Sequence, residues 1–167
     1  SSVYPSGREY VLRDYRMPEE KTAVQKEFSE RDAQIVRKNV EENVLDMVMA
    51  HPETTFYFYT PPYSIAWWYT QQCYGNVLRY FEAEKLQAEM LLEYDNVKLY
   101  SFADMFDLTQ NLDNYKDDKH YNAEISDKII DWIYDGTGLI TKENYEERIS
   151  KMEEFYLNQV SESSFSE

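Results

Sequence analysis

Two short apolar runs, Thr55–Thr60 and Val97–Phe102, alternate with stretches of helical periodicity, and this alternation constrains the fold most strongly. The first run contains Phe56-Tyr57-Phe58-Tyr59, and such aromatic character on both faces is typical of a strand covered on both sides. Strands that alternate with helices favour a parallel sheet with right-handed crossovers. We therefore predict an α/β fold with three α/β/α layers around a small parallel sheet.

The helices are predicted from apolar spacing and from the residues at their ends. Ser29 and Asp32 form a near capping box at the start of a helix over Ser29–Ala50. Its predicted apolar stripe recurs every fourth residue and is widened by neighbours (Val36, Val40, Val44 and Val48, with Ile35, Leu45 and Met47). The same reasoning predicts three later helices, over Val77–Glu93, Asn122–Tyr134 and Thr141–Asn158. In the second of these three we expect Ile130 to be buried with Ile125, Ile129 and Ile133.

The chain divides into an irregular N-terminal segment over residues 1–28, one α/β domain over 29–160, and a disordered Ser/Glu-rich tail over 161–167. A short extended piece is expected around Tyr10–Leu12. Two strands make a poor sheet, so either residues 1–28 supply a third strand, or the chain is the second half of a larger α/β domain. The chain starts at Ser1-Ser2 without Met, which favours a processed product or a piece of a longer protein.

Charge and composition exclude several classes of function. The chain has 32 Asp and Glu against 17 Lys and Arg, a net charge of −15, which argues against nucleic acid and against an anionic membrane surface. No apolar run is long enough for a transmembrane helix. The single cysteine, Cys73, excludes an internal disulfide and a cysteine-based zinc site. Neither His51 nor His120 has metal-ligand spacing, so we predict no metal and no cofactor.

One pair of residues suggests catalysis. Asp117 lies three residues before His120, in the loop between the second strand and a helix start. Ligands of open α/β sheets bind at the carboxyl ends of strands, and a carboxylate there can fix one imidazole nitrogen and leave the other as a general base. The alternative is that His120 is a polar residue near a helix N-terminus among solvated acids.

The layout of these segments resembles the C-terminal half of an SGNH (GDSL-type) hydrolase, a flavodoxin-like α/β fold. The resemblance covers the strand and Pro-Pro-Tyr-Ser of Thr55–Ser64, the strand Val97–Phe102, and the polar run Asn114–Asn122 before a helix. Asp117 and His120 match the Asp-x-x-His motif of that family, which implies that His120 is the base and Asp117 its orienting partner. The polar run is similar to the bacterial cell-envelope branch, which implies an extracytoplasmic ester hydrolase or O-acyltransferase acting on carbohydrate or an acylated polymer.

The chain also departs from that pattern. It has no Gly-Asp-Ser, so the Ser nucleophile is absent from these residues. Two hypotheses follow: an upstream half-domain supplies the nucleophile, or the chain is a non-catalytic binding or assembly module. Ser64 is interpreted as a substrate-side or structural residue, and Tyr63, Ser64 and Trp67 are predicted to flank the substrate pocket. The aromatic cluster after Pro62 fits either a sugar platform or lid beside His120, or core packing (Trp67, Trp68, Tyr69 and Tyr74).

Overall fold

The computed structural model describes residues 5–22 and 24–165. In chain order it contains α1 (Arg8–Asp14), α2 (Glu30–Val40), α3 (Asp46–Ala50), β1 (Phe56–Thr60), α4 (Ile65–Cys73), α5 (Val77–Leu91), β2 (Val97–Ser101), α6 (Phe106–Gln110), α7 (Ala123–Asp135), β3 (Leu139–Ile140) and α8 (Tyr145–Asn158). A π-helical turn over Glu41–Leu45 joins α2 to α3, and short 3-10 turns lie at Leu112–Asn114 and Glu162–Ser164.

The sheet is small and mixed. β2 lies between β1 and β3, parallel to β1 and antiparallel to β3. The prediction of a parallel sheet is therefore confirmed for β1 and β2 and wrong for the third strand. That strand is Leu139–Ile140 and not a part of residues 1–28, and two residues after a glycine turn carry no strand periodicity. Because β1 and β2 are parallel, their last residues Thr60 and Ser101 lie side by side at one edge.

Helices cover the two faces of the sheet, which is compatible with a three-layer α/β/α fold. On one face Val97 packs in a cluster with Val40 of α2 and Leu91 of α5. On the other face Tyr100 packs with Ile125 and Ile129 of α7. Consecutive residues of a strand point to opposite faces, so Val97 and Tyr100 are buried on opposite sides of β2, while Lys98 between them is exposed.

The largest cluster lies around Trp68, which is fully buried and stacks on two other aromatic rings. Its ring stacks on Phe81 at 4.9 Å and on Tyr156 at 4.2 Å between centroids. For Trp68 the core-packing alternative is therefore the correct one. Helix α4, which carries it, begins only three residues after Pro62 and was not predicted, because Pro-Pro followed by aromatic residues shows no amphipathic stripe.

Three residues expected in apolar stripes are exposed. Ile35 and Met47 have 58% and 44% of their surface accessible, and Ile130 has 66%. The predicted apolar stripe is confirmed for Val40, Leu45 and Val48, which are buried. One residue along a helix is a rotation of roughly 100°, so Ile130 points away from the core that Ile129 enters.

Both terminal segments join the main core, which corrects two expectations. Tyr10–Leu12, predicted to be extended, lies within α1, and Val11 of that helix is fully buried. Residues 161–165 are ordered instead of disordered, because Phe165 is 1% exposed and packs edge-on against Tyr15 and Tyr69. The buried ring of Phe165 holds this segment on the core, and the Ser- and Glu-rich composition gives no sign of it. The last two residues of the predicted tail, 166–167, lie outside the described residues.

Candidate active site at the carboxyl edge of the sheet

An open cavity of about 520 Å³ lies at the edge where β1 and β2 end. Its walls come from the end of β1, from the loop between α6 and α7, and from the first turn of α7 (Tyr59, Pro61, Tyr63, Lys116, Lys119, His120, Tyr121 and Ser126). Its size lies within the range of small-molecule sites, roughly 300–1,000 Å³. The prediction that both loops meet at one edge is confirmed by the parallel pairing of β1 and β2.

Asp117 and His120 form a hydrogen-bonded pair at this cavity. Nδ1 of His120 lies 2.8 Å from Oδ2 and 3.1 Å from Oδ1 of Asp117. Oδ1 also accepts the backbone N–H groups of Lys119 and His120, at 2.8 and 2.7 Å. The carboxylate therefore closes the local turn and holds the ring at the same time. Since Nδ1 faces Asp117, Nε2 is the ring nitrogen left for a ligand.

The pKa of Asp117 is lowered by these contacts. Partial burial acts to raise its pKa, but the two backbone N–H donors and the His120 ring together outweigh that effect. Asp117 therefore stays ionised well into acid, as a partner of a general base requires. The His120 side chain is 72% exposed, so its ring is accessible to a ligand in the cavity.

The loop that carries the pair is fixed to the fold from both sides. The backbone N–H of Lys116 donates to the carbonyl of His120 at 2.8 Å, which makes residues 116–120 a closed turn. Tyr115, fully buried beneath it, donates its hydroxyl to the Pro62 carbonyl at 2.6 Å. The loop after β2 is thus joined to the loop after β1, and a fixed base is the arrangement that catalysis needs.

Of the three residues predicted to contact substrate, only Tyr63 lines the cavity. Ser64 is fully buried; its hydroxyl accepts the N–H of Trp67 as the N-cap of α4 and donates to the Asp118 carbonyl. Trp67 packs on Tyr63 with ring centroids 4.3 Å apart, and so supports Tyr63 from behind. Both residues therefore have structural contacts that hold the cavity wall.

The sequence analysis missed most of the polar lining. Tyr59 and Tyr121 both line the cavity and are hydrogen-bonded to each other, with their hydroxyl oxygens 3.1 Å apart. Lys116 and Lys119 both precede His120 within four residues, and this closeness to an imidazole was the available signal. Tyr59 is exposed because β1 is an edge strand and α7 leaves this part of the face uncovered, a tertiary effect without a local pattern.

A buried carboxyl lies under the same edge of the sheet. Oε1 of Glu84, on α5, accepts hydrogen bonds from Thr60 Oγ1 at 2.9 Å and Ser101 Oγ at 3.2 Å. Its Oε2 is buried without a hydrogen-bond partner among the described residues. Burial raises the pKa of Glu84 to about 7, although those two hydroxyl donors and Arg148 act in the opposite direction. Glu84 therefore changes charge near neutral pH directly behind the ends of β1 and β2.

Other classes of site find little support in the part of the chain that the structure describes. There, no group of three or more His, Cys, Asp or Glu side chains is arranged to hold a metal ion. None of the helices in residues 5–22 and 24–165 has the length and apolar character that crossing a bilayer requires.

No protein-family model matches the sequence, and no curated protein and no solved structure is similar to the chain. The candidate site is therefore defined by its own geometry.

Proposed function

We propose that the chain carries the general-base part of an SGNH-like ester hydrolase or O-acyltransferase. The observation that carries the proposal is the contact between Nδ1 of His120 and the Asp117 carboxylate at 2.8 Å, at the carboxyl edge of parallel strands. An imidazole that lines a cavity and is held by a carboxylate through one nitrogen has the arrangement of the base–orienter pair of acyl-transfer enzymes.

In this mechanism a serine hydroxyl attacks the ester carbonyl while Nε2 of His120 takes its proton. A bond forms between the serine oxygen and the acyl carbon, and the ester C–O bond then breaks as His120 returns the proton to the leaving alkoxide. Water, or a hydroxyl of the acceptor, then attacks the acyl carbon while His120 takes its proton, and the bond from the acyl carbon to the serine oxygen breaks as His120 returns that proton to the serine. Asp117 stays ionised throughout and stabilises the imidazolium.

The nucleophile must come from polypeptide outside these residues. Ser64 is fully buried and bonded to the Asp118 carbonyl, and Ser126, the one serine in the cavity wall, donates back to the Asn122 carbonyl at 3.2 Å. Neither serine has a hydrogen bond to His120 among the described residues. Within residues 5–22 and 24–165, β1 pairs along one edge only, and an upstream half-domain that extended the sheet there would bring further loops to the cavity.

We propose a carbohydrate or acylated polymer of the cell envelope as the substrate, and an extracytoplasmic location. The resemblance of Asn114–Asn122 to the envelope branch of SGNH proteins supports this choice. So does the aromatic wall, since Tyr63 and Tyr59 present flat rings and hydroxyl groups of the kind that bind sugars.

The decisive experiment joins these residues to their upstream reading frame and measures hydrolysis of p-nitrophenyl acetate. His120→Ala should lower kcat/KM by roughly 10³-fold or more, because the attacking hydroxyl loses its base. The matched control is His51→Ala, which removes the other histidine of the chain, an exposed residue that follows α3. If both variants retain full activity, the acyl-transfer proposal is wrong.

A non-catalytic binding or assembly module is the second candidate. It is favoured by apolar side chains left exposed beside the β1 edge: Tyr57 is 56% accessible, Ile130 66% and Tyr134 94%. These residues line a separate groove of about 530 Å³ between β1 and α7. The same assay separates the candidates, since a module has no turnover in the extended protein and keeps its partner binding in His120→Ala.

A further inference from the structure

The charge of the cavity is opposite to the charge of the chain. Acidic residues outnumber basic ones by 32 to 17 in the sequence, yet the cavity wall contains Lys116, Lys119 and His120 and no Asp or Glu. In a chain this acidic, two lysines in one cavity wall, beside a histidine whose Asp117 partner is already hydrogen-bonded, point to a ligand group of negative charge.

Neutral donors add to these basic side chains. Tyr59 and Tyr121 share one hydrogen bond between their hydroxyl groups, so the hydroxyl that accepts still has its own proton to donate. Burial raises the pKa of Tyr121 far above neutral, and its hydroxyl therefore remains protonated. Tyr63 brings a further hydroxyl group to the same wall.

The backbone that carries the two lysines is held in place. Both belong to the closed turn over residues 116–120, which Tyr115 and Ser64 tie to the body of the fold. The Lys119 ammonium lies over the Tyr63 ring, 5.7 Å from its centroid. A cation positioned in advance loses less conformational entropy when an anion binds.

We propose that the ligand of this cavity carries an anionic group, a phosphate ester or a carboxylate, which binds between Lys116 and Lys119 and accepts hydrogen bonds from the tyrosine hydroxyl groups. That this ligand is the substrate of the acyl chemistry rests on the proposed function; the anion site itself does not. The exclusion of nucleic acid is unaffected, because a cavity with two lysines recognises one anionic group and not a row of phosphates.

Two carboxylates near the cavity work against an anion and have to be weighed. The Asp117 carboxylate already accepts hydrogen bonds from His120 and two backbone N–H groups, so much of its charge is compensated. Asp118 is half-buried outside the cavity wall, and burial, with the neighbouring Asp117 charge, raises its pKa. Neither carboxylate lines the cavity wall, whereas both lysines do.

The test is a titration of the chain with glycerol 3-phosphate, glycerate and glycerol, followed by NMR at the amides of residues 116–121. At least one of the two anions should bind about ten-fold or more tightly than glycerol, and its affinity should fall as salt is raised from about 20 mM to about 500 mM. The better of the two anions identifies the group as phosphate or carboxylate. Equal affinity for all three compounds would overturn the proposal.

Variants locate the site. The double variant Lys116→Ala/Lys119→Ala should weaken anion binding about ten-fold or more. Lys119→Ala alone should weaken it by a smaller factor. Because Lys119 is exposed, this single variant keeps the test valid if the double variant does not fold. The control is Lys128→Ala on α7, which removes a lysine ion-paired with Glu124 outside the cavity wall and should change affinity by less than about two-fold. Unchanged binding in Lys119→Ala, or equal losses in Lys119→Ala and Lys128→Ala, would show that the anion does not bind here.

Anion binding and ester turnover are measured in separate assays, so the anion site and the acyl chemistry can each be disproved without the other. Anion binding with full activity in His120→Ala would remove the acyl chemistry and keep the anion site. Loss of activity in His120→Ala without any preference for anions would remove the anion site and keep the acyl chemistry.

Discussion

The buried hydroxyl of Ser64 donates to the carbonyl oxygen of Asp118, and this one contact joins the start of α4 to the loop that carries His120. Ser64 Oγ also accepts the N–H of Trp67, as the N-cap of α4. A small side chain after Pro61-Pro62 therefore holds both loops of the candidate site together.

Replacing Ser64 with alanine should destabilise the protein by about 2 kcal/mol, because a helix cap is lost and the Asp118 carbonyl loses a partner. Urea denaturation measures the change. Ser29→Ala is the matched control, since Ser29 caps α2 in an exposed capping box and should cost about 1 kcal/mol. A Ser64→Ala effect no larger than that of Ser29→Ala would mean that the contact with Asp118 contributes nothing.

Ionisation of Asp117 should be visible at the amides that it accepts. Its pKa is lowered, so the stabilisation that it gives the turn is present above the usual aspartate value of about 3.9 and is lost only as the pH falls through its own lower pKa. NMR signals of the Lys119 and His120 amides should therefore shift with a midpoint below that value. Asp117→Asn should abolish this transition, and a midpoint at or above the usual value would contradict the assignment.

Local signals predicted much of the fold, and tertiary contacts decided the rest. The capping box at Ser29 and the N-cap at Asn122 involve residues three apart, so they could be inferred from sequence. β3, with only Leu139–Ile140, is defined by its pairing with β2 and by no pattern of its own. The burial of Phe165 likewise depends on the distant Tyr15 and Tyr69.

The same distinction between local and long-range contacts applies to the candidate site. Asp117 and His120 lie in one turn, so their hydrogen bond follows from a spacing of three residues. The cavity beside them depends on Tyr59, 62 residues from its partner Tyr121, and long-range pairs of this kind have no signature in a single sequence. Ser64 was interpreted from its place after a strand, and only the fold shows that its hydroxyl is buried.

Glu84 should make stability depend on pH near neutrality. Its pKa is raised to about 7, so its contribution is fully present below the ordinary glutamate pKa and is lost as the pH rises through about 7. Glu84→Gln keeps an acceptor for Thr60 and Ser101 but has no charge to bury. The variant should therefore match the parent near pH 4 and be more stable at pH 8, by up to about 3 kcal/mol.

Thermal or urea unfolding at a series of pH values measures this difference. Glu154→Gln is the control, because it removes the same charge from an exposed position on α8. If the free energies of unfolding of Glu84→Gln and the parent differ by the same amount at every pH from 5 to 8, Glu84 does not titrate in this range.

Two glycines around the turn after α7 should respond differently to the same substitution. Gly136 and Gly138 both have a φ of +83°, so alanine is strained at either position by about 1–2 kcal/mol. A Cβ at Gly136 meets nothing within 4 Å, whereas at Gly138 it would lie 2.7 Å from the ring of Phe102, which is fully buried under α7.

Gly138→Ala should therefore destabilise the protein by roughly 1–3 kcal/mol more than Gly136→Ala, because the buried ring has to move to make room for the added methyl group. Paired urea denaturation of the two variants isolates the contact from the backbone strain that they share. Equal losses would mean that Phe102 moves aside at no cost. The turn from α7 into β3 would then be set by backbone conformation alone, without a contribution from its packing on the strand that leads to the candidate site.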